Sequence, residues 1–222
     1  MRQAWLAGLV LLQAARAAPA DVLSIYLARH GQTEWNAAGR MQGSADIPLN
    51  DTGRRQARVL ADRLAGIPFD AIYSSTLQRS AQTAEAFRGR APIHALAGLN
   101  EQSVGAFTGL TQDERDQARR EAFERRHKDP DDTLDGGESA KQHFARVDAA
   151  VKDIRARHPA GNVLIVGHGG TNVHVLRSLM GLTAEQADAV EQANDEVYLV
   201  ELRPGHPPVL WKLIPPDHLK EL

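Results

Sequence analysis

The chain has 222 residues, 42% hydrophobic and 24% charged, a globular composition long enough for one domain with a real core. Its formal net charge of −2 gives no global basic excess to attract nucleic acid, so an anionic ligand needs a local cluster of Arg and His. Cysteine is absent, which excludes disulfides, thiolate metal sites and a cysteine nucleophile.

Residues 1–20, MRQAWLAGLVLLQAARAAPA, differ in character from the rest of the chain. Arg2 and the amino terminus make a short positive start, 4–12 is an unbroken apolar run, and ARA and APA at 15–20 have the small-x-small form of a signal-peptidase site. A run this short cannot span a bilayer, which takes about 20 residues. The expectation is therefore a cleaved signal peptide, a periplasmic or secreted protein and no stable membrane anchor. A disordered tail, a misplaced start codon or an extra core helix is the competing reading, and would leave the protein cytoplasmic.

Residues 21–222 read as a single domain. VLSIYLA at 22–28 is a buried strand. The polar, Gly-containing segment 29–50 reads as a long functional loop. A helix follows at 50–66, capped by Asn50 or Asp51, with Ala57, Leu60, Ala61 and Leu64 on one face and Gly66 as terminator. FDAIYSS at 69–75 is a strand leading into a helix at 77–88, whose inward face is Leu77, Ala81, Ala84 and Phe87. APIHAL at 91–96 is a further strand. The charged stretch 111–128 reads as an exposed helical excursion, within a larger one of about 102–136, and 129–139 is a turn-rich loop. Ser139 begins a long helix carrying Phe144, Val147, Val151 and Ile154 inward. NVLIVGH at 162–168 is a second buried strand, followed by a helix at about 170–180, and EVYLVEL and PVLWKLI form a terminal hairpin.

This alternation predicts an α/β fold, a three-layer sandwich with a mainly parallel mixed sheet flanked by helices on both faces. Ligands in such folds bind beyond the carboxyl ends of the strands. Two strands end alike there, LARHGQ at 27–32 and IVGHGG at 165–170. Each gives a histidine followed by a glycine whose backbone can approach a bound group. A third strand leads to Arg79. Arg29, Arg79, His30, His168 and helix N-terminal N–H groups converging on one spot would suit a dianion, with phosphate the obvious one. A metal site is the competitor, but it needs three or four ligands, and an arginine beside His30 would repel a cation, so no metal and no cofactor are expected.

The ordered set ARHGQTEWN (28–36), QGSADIPLNDTGRRQA (42–57), YSSTLQRSAQTA (73–84), LNEQSVGAFTGLT (99–111), GGES (136–139), VLIVGHGG (163–170) and PPDHL (215–219) resembles the histidine phosphatase superfamily, in the branch of phosphoglycerate mutases and small broad-specificity phosphatases. The resemblance implies that His30 attacks phosphorus to form a phosphohistidine. It implies that Arg29, Arg79 and His168 hold the equatorial oxygens, with Asn36 and the backbone near Gln42, Gly43 and Gly169 adding donors. Glu101 would protonate the leaving group and then activate water. His30 and His168 would need opposite protonation tendencies, neutral and positive.

The same pocket serves a phosphatase or a mutase. The segment between Glu101 and Glu138 is short and lacks the basic, proline-rich run by which mutases close over the site, which favours a phosphomonoester hydrolase acting on a small phosphorylated substrate. Phosphoglycerate mutase-type transfer and a non-catalytic phospholigand-binding module are the alternatives, the latter opposed by the completeness of the set Arg29, His30, Arg79, Glu101 and His168. The terminal hairpin leaves either a monomer or a homodimer.

Overall fold

The structure, a computed structural model, describes residues 21–111, 117–194 and 196–213. The expected signal peptide at 1–20 and the PPDHL stretch lie outside the described residues, as do residues 112–116 of the excursion.

Six strands form one sheet in the order β3-β2-β4-β1-β5-β6. They are β1 (Leu23–Arg29), β2 (Ala71–Ser74), β3 (Ile93–Ala95), β4 (Gly161–Gly167), β5 (Val197–Leu202) and β6 (Val209–Leu213). The pairs β1·β4, β2·β4 and β2·β3 are parallel, and only β5 runs against the rest. The two central strands are nearly continuous apolar runs because both their faces are covered. Their period of two sends alternate residues to opposite layers. Leu23, Ile25, Leu27, Val163 and Ile165 face one cluster; Tyr26, Ala28, Leu164 and Val166 face the other.

Helices α2 (Asp51–Arg63) and α3 (Gln78–Glu85) cover the second face with Leu60, Ala61, Ala84 and the nearby Phe87. Helices α5 (Ala140–Arg157) and α6 (Gly169–Met180) cover the first with Val147, Val151, Ile154, Val175, Leu176 and Leu179. The result is the expected three-layer α/β sandwich. Asn50 caps α2 by accepting from Gly53 N, and Ser139 caps α5 in a reciprocal box with Gln142.

Several local expectations change. The segment 29–50 is not all loop, because Thr33 and Asn36 cap a short helix, α1 (Glu34–Ala37). Helix α2 stops at Arg63 rather than at Gly66, as the bonds after Leu64 tighten to a three-residue turn, Ala65 N donating to Asp62 O and Ile67 N to Leu64 O. On α5 the fully buried position in the first turns is His143, while Phe144 is only half-buried. A further helix, α7 (Ala184–Asp188), is capped by Thr183. The excursion contributes α4 (Gln117–His127), and it is not merely solvated. Phe123 and Ala122 pack on a small third cluster of Val104, Phe107 and Leu134. No helix among the described residues is long and apolar enough to cross a membrane.

Candidate active site

Strands β1, β4 and β2 deliver their carboxyl ends to one place. His30 leaves β1 with its backbone N–H bonded to Gly167 O at 3.0 Å, so the two His-Gly corners are tied directly together. The two rings stand with centroids 5.1 Å apart, inclined at 59°. Arg79 arrives from the first turn of α3 and is almost fully buried.

His30 Nδ1 faces Gly31 O at 2.7 Å. A carbonyl only accepts, so Nδ1 carries the proton and Nε2 keeps its lone pair. Burial, then the Arg79 and Arg29 charges, push the imidazole down to about 3, leaving it neutral at ordinary pH. His168 resolves in the same way. Arg79 Nε can only donate, so His168 Nδ1 accepts it at 3.2 Å and the ring proton sits on Nε2, which reaches Ser75 Oγ at 2.7 Å. Burial and then the His30 ring and both arginines hold His168 well below its ordinary range. The expected neutral–charged pair is therefore corrected: both imidazoles are driven neutral, because both are buried beside guanidinium groups.

Arg79 is fixed by protein carbonyls, Nη1 donating to Ala45 O at 2.6 Å and Nη2 to Gly43 O at 2.7 Å. Burial pulls it down to about 10, against the Glu101 and Asp46 charges that favour its charged form. Arg29 Nη1 donates to Gln192 O at 2.9 Å, while its buried Nε has no hydrogen-bond partner among the described residues. A buried donor without an acceptor is costly, and a ligand oxygen would relieve it.

Glu101 lies across the start of α6. Its carboxylate accepts from Gly170 N at 3.0 Å, and from Thr171 N and Thr171 Oγ1 at 3.1 Å. Two of the helix N-terminal donors expected to face an anion are thus occupied by Glu101. Gly169 packs on Arg29, where an added Cβ would lie 3.5 Å from Cζ. Asn36 Oδ1 accepts from Thr33 N as the α1 cap, and Gln42 Oε1 accepts from Thr33 Oγ1 at 2.8 Å. Through these bonds, Asn36 and Gln42 brace the loop that follows His30.

Sequence reasoning missed the supports. Thr83 Oγ1 accepts Gly31 N at 3.0 Å and donates to Arg79 O, joining the first corner to the Arg79 helix. Its four-residue spacing from Arg79 was the available signal. Asn194 Nδ2 donates to His30 O at 2.5 Å, and Asn172 Nδ2 donates to Ala28 O. Arg146 grips Glu138 at 2.6 and 2.8 Å and donates to Asn100 O and Glu101 O, fixing the segment that carries Glu101. Among the described residues no three His, Asp or Glu side chains form a metal-binding group.

The chain is similar to known proteins in sequence and in fold. The sequence profile of the histidine phosphatase superfamily (branch 1) matches residues 25–213. Metal-independent phosphoserine phosphatase of Arabidopsis thaliana is 34% identical over 189 residues, 82% of this chain and 78% of that protein. Phosphoglycerate mutase-like protein 4 of the same plant is 33% identical over 178 residues, 78% of this chain and 76% of that protein. The native structure of mycobacterial glucosyl-3-phosphoglycerate phosphatase superposes with a TM-score of 0.71 at 28% identity, covering 84% of this chain and 91% of that one.

Proposed function

The chain belongs to branch 1 of the histidine phosphatase superfamily, and from that membership we propose that this phosphatase hydrolyses small phosphomonoesters through a phosphohistidine on His30, without a metal. The observation that carries the reading is the His30 ring itself. It is neutral, its proton is held on Nδ1 by Gly31 O, and Nε2 is left as a nucleophile between two arginines. Nε2 attacks phosphorus, the bond to the leaving oxygen breaks, and Glu101 gives that oxygen a proton. Water then attacks phosphorus and loses a proton to Glu101, the P–N bond breaks, and inorganic phosphate leaves with His30 restored. Arg29 and Arg79 offset the charge that builds on the equatorial oxygens, with Arg29 Nε a donor lacking any other partner among the described residues. The dianion competes with Ser75 for the His168 Nε2 proton. Asn36 and backbone at Gln42, Gly43 and Gly169 complete the cradle.

A small phosphorylated metabolite as substrate is supported by relatives named for phosphoserine and for glucosyl-3-phosphoglycerate. Residues 1–20 support export. The test is His30→Ala with an aryl phosphate as substrate: turnover is lost, together with the acid-labile phosphoenzyme trapped in the wild type. Substantial residual turnover, or wild-type activity that EDTA removes and a metal restores, would contradict the proposal.

A further inference from the structure

Glu101 holds its two carboxylate oxygens unequally. Oε1 accepts from Gln102 N at 3.0 Å and from Thr171 N and Thr171 Oγ1 at 3.1 Å. Oε2 has one donor among the described residues, Gly170 N at 3.0 Å. An oxygen that already faces three donors has no lone pair left for a proton, so a proton on Glu101 sits on Oε2. The charge of Glu101 acts on both Arg29 and Arg79, which places this carboxylate at the phosphate cradle. The inequality depends on one hydroxyl proton. Thr171 Oγ1 lies 2.9 Å from Asn100 O, 3.1 Å from Glu101 Oε1 and 3.0 Å from His143 Nε2. Asn100 O can only accept, so it competes with Glu101 for the hydroxyl proton.

The third neighbour, His143, is buried on α5. Its Nε2 is 3.9 Å from Glu101 Oε1, too far for a hydrogen bond, so its influence passes through Thr171. Burial first, then His174 on α6, Arg146 on α5 and His127 on α4, hold the imidazole well below its ordinary range, and the neutral ring carries a single proton. On Nε2, that proton faces Thr171 Oγ1 and the Asn100 carbonyl, and the Thr171 hydroxyl proton is released to Glu101 Oε1. On Nδ1, it would leave Nε2 as one more acceptor for the same hydroxyl proton and set a lone pair against Asn100 O. A buried cluster with more acceptors than protons is costly, and the Nε2 placement avoids it.

We infer that His143 is a positioning residue for the acid–base step: with its proton on Nε2 it turns the Thr171 hydroxyl onto Glu101 Oε1, and so leaves Oε2 as the oxygen that gives and takes the proton. This rests on the hydrolase reading of His30 and Glu101. The test compares His143→Phe, which loses the donor, with His143→Gln, whose amide nitrogen restores one. In His143→Phe, kcat for an alkyl phosphate falls about five- to tenfold, the worth of one hydrogen bond. For an aryl phosphate, whose leaving group needs little protonation, kcat stays within about twofold, as does KM for both substrates. His143→Gln keeps the alkyl-to-aryl ratio near that of the wild type. In a Thr171→Val background, His143→Phe brings no further change in the ratio, because the hydroxyl it orients is gone. Equal slowing of both substrates, no slowing of either, or a Gln variant as impaired as Phe overturns the proposal. The tautomer is read without substitution or turnover: long-range proton–nitrogen NMR spectra of the wild type show the His143 proton on Nε2, and a proton on Nδ1 overturns the proposal even where neither variant folds. If the wild type does not hydrolyse an aryl phosphate, the hydrolase reading has failed instead, and the tautomer still judges the His143–Thr171 arrangement.

Discussion

Gly43 carries more of the site than its lack of a side chain suggests. Its φ is +50°, and a Cβ there would come within 2.8 Å of Val104 Cγ2 and 3.0 Å of Gln102 O. Its carbonyl is one of the anchors of Arg79. Gly43→Ala is therefore expected to cost about 1–3 kcal/mol in urea unfolding and to raise KM for an aryl phosphate as Arg79 shifts. Gly169→Ala, whose Cβ would make only ordinary contact with Arg29 at 3.5 Å, should stay within about 0.5 kcal/mol of wild type in the same assay. Unchanged stability of Gly43→Ala would refute the argument. Both glycines stood out in the sequence as donors near a phosphate. The strain at one and the slack at the other could not be read there, because the first depends on Val104 and Gln102 and the second on Arg29, each brought in from a distant segment.

At the scale of elements, the start of α6 is held by an acid from another part of the chain. Glu101 accepts two backbone N–H groups and the Thr171 hydroxyl. Thr171 is in turn bonded to His143 on α5 at 3.0 Å. Glu101→Gln sets an amide N–H against one of these donors, so it should destabilise the fold by about 1 kcal/mol through the helix start. As an acid lost, it should slow alkyl phosphates well beyond aryl phosphates, whose leaving groups need little protonation. Equal slowing of both, measured as kcat, would remove the acid role and leave only the structural one. The sequence picked out Glu101 by resemblance to a family. Its cap-like grip on α6 joins residues 69 or more positions apart in the chain, and no local pattern encodes that.

Across the whole molecule, three buried imidazoles and the half-buried His174 share one trend. His30 is pushed down to about 3 and His174 to about 4, and His143 and His168 lie well below the ordinary value of 6.5. Between pH 6.5 and 4 the unfolded chain binds protons at these positions that the folded chain does not, so stability falls as pH falls through that window. Each histidine contributes up to about 1.4 kcal/mol per pH unit. Urea melts at pH 7 and pH 5 should show a marked drop, and a flat profile would contradict the burial argument. Export is tested by sequencing the mature N-terminus from a periplasmic fraction, where cleavage near residues 17–20 is expected and an intact Met1 would refute it. The sequence by itself determined the strands, the two-faced sheet and the convergence of Arg29, His30, Arg79 and His168, because period-two and helical spacing are local and strand ends carry the chemistry. It also placed the caps Asn50 and Ser139, whose partners lie three residues away. Only the tertiary structure decided that both histidines are neutral and that Thr83 ties the His30 corner to the Arg79 helix. These features depend on desolvation and on contacts between segments far apart in the chain, and neither leaves a periodic trace in the sequence.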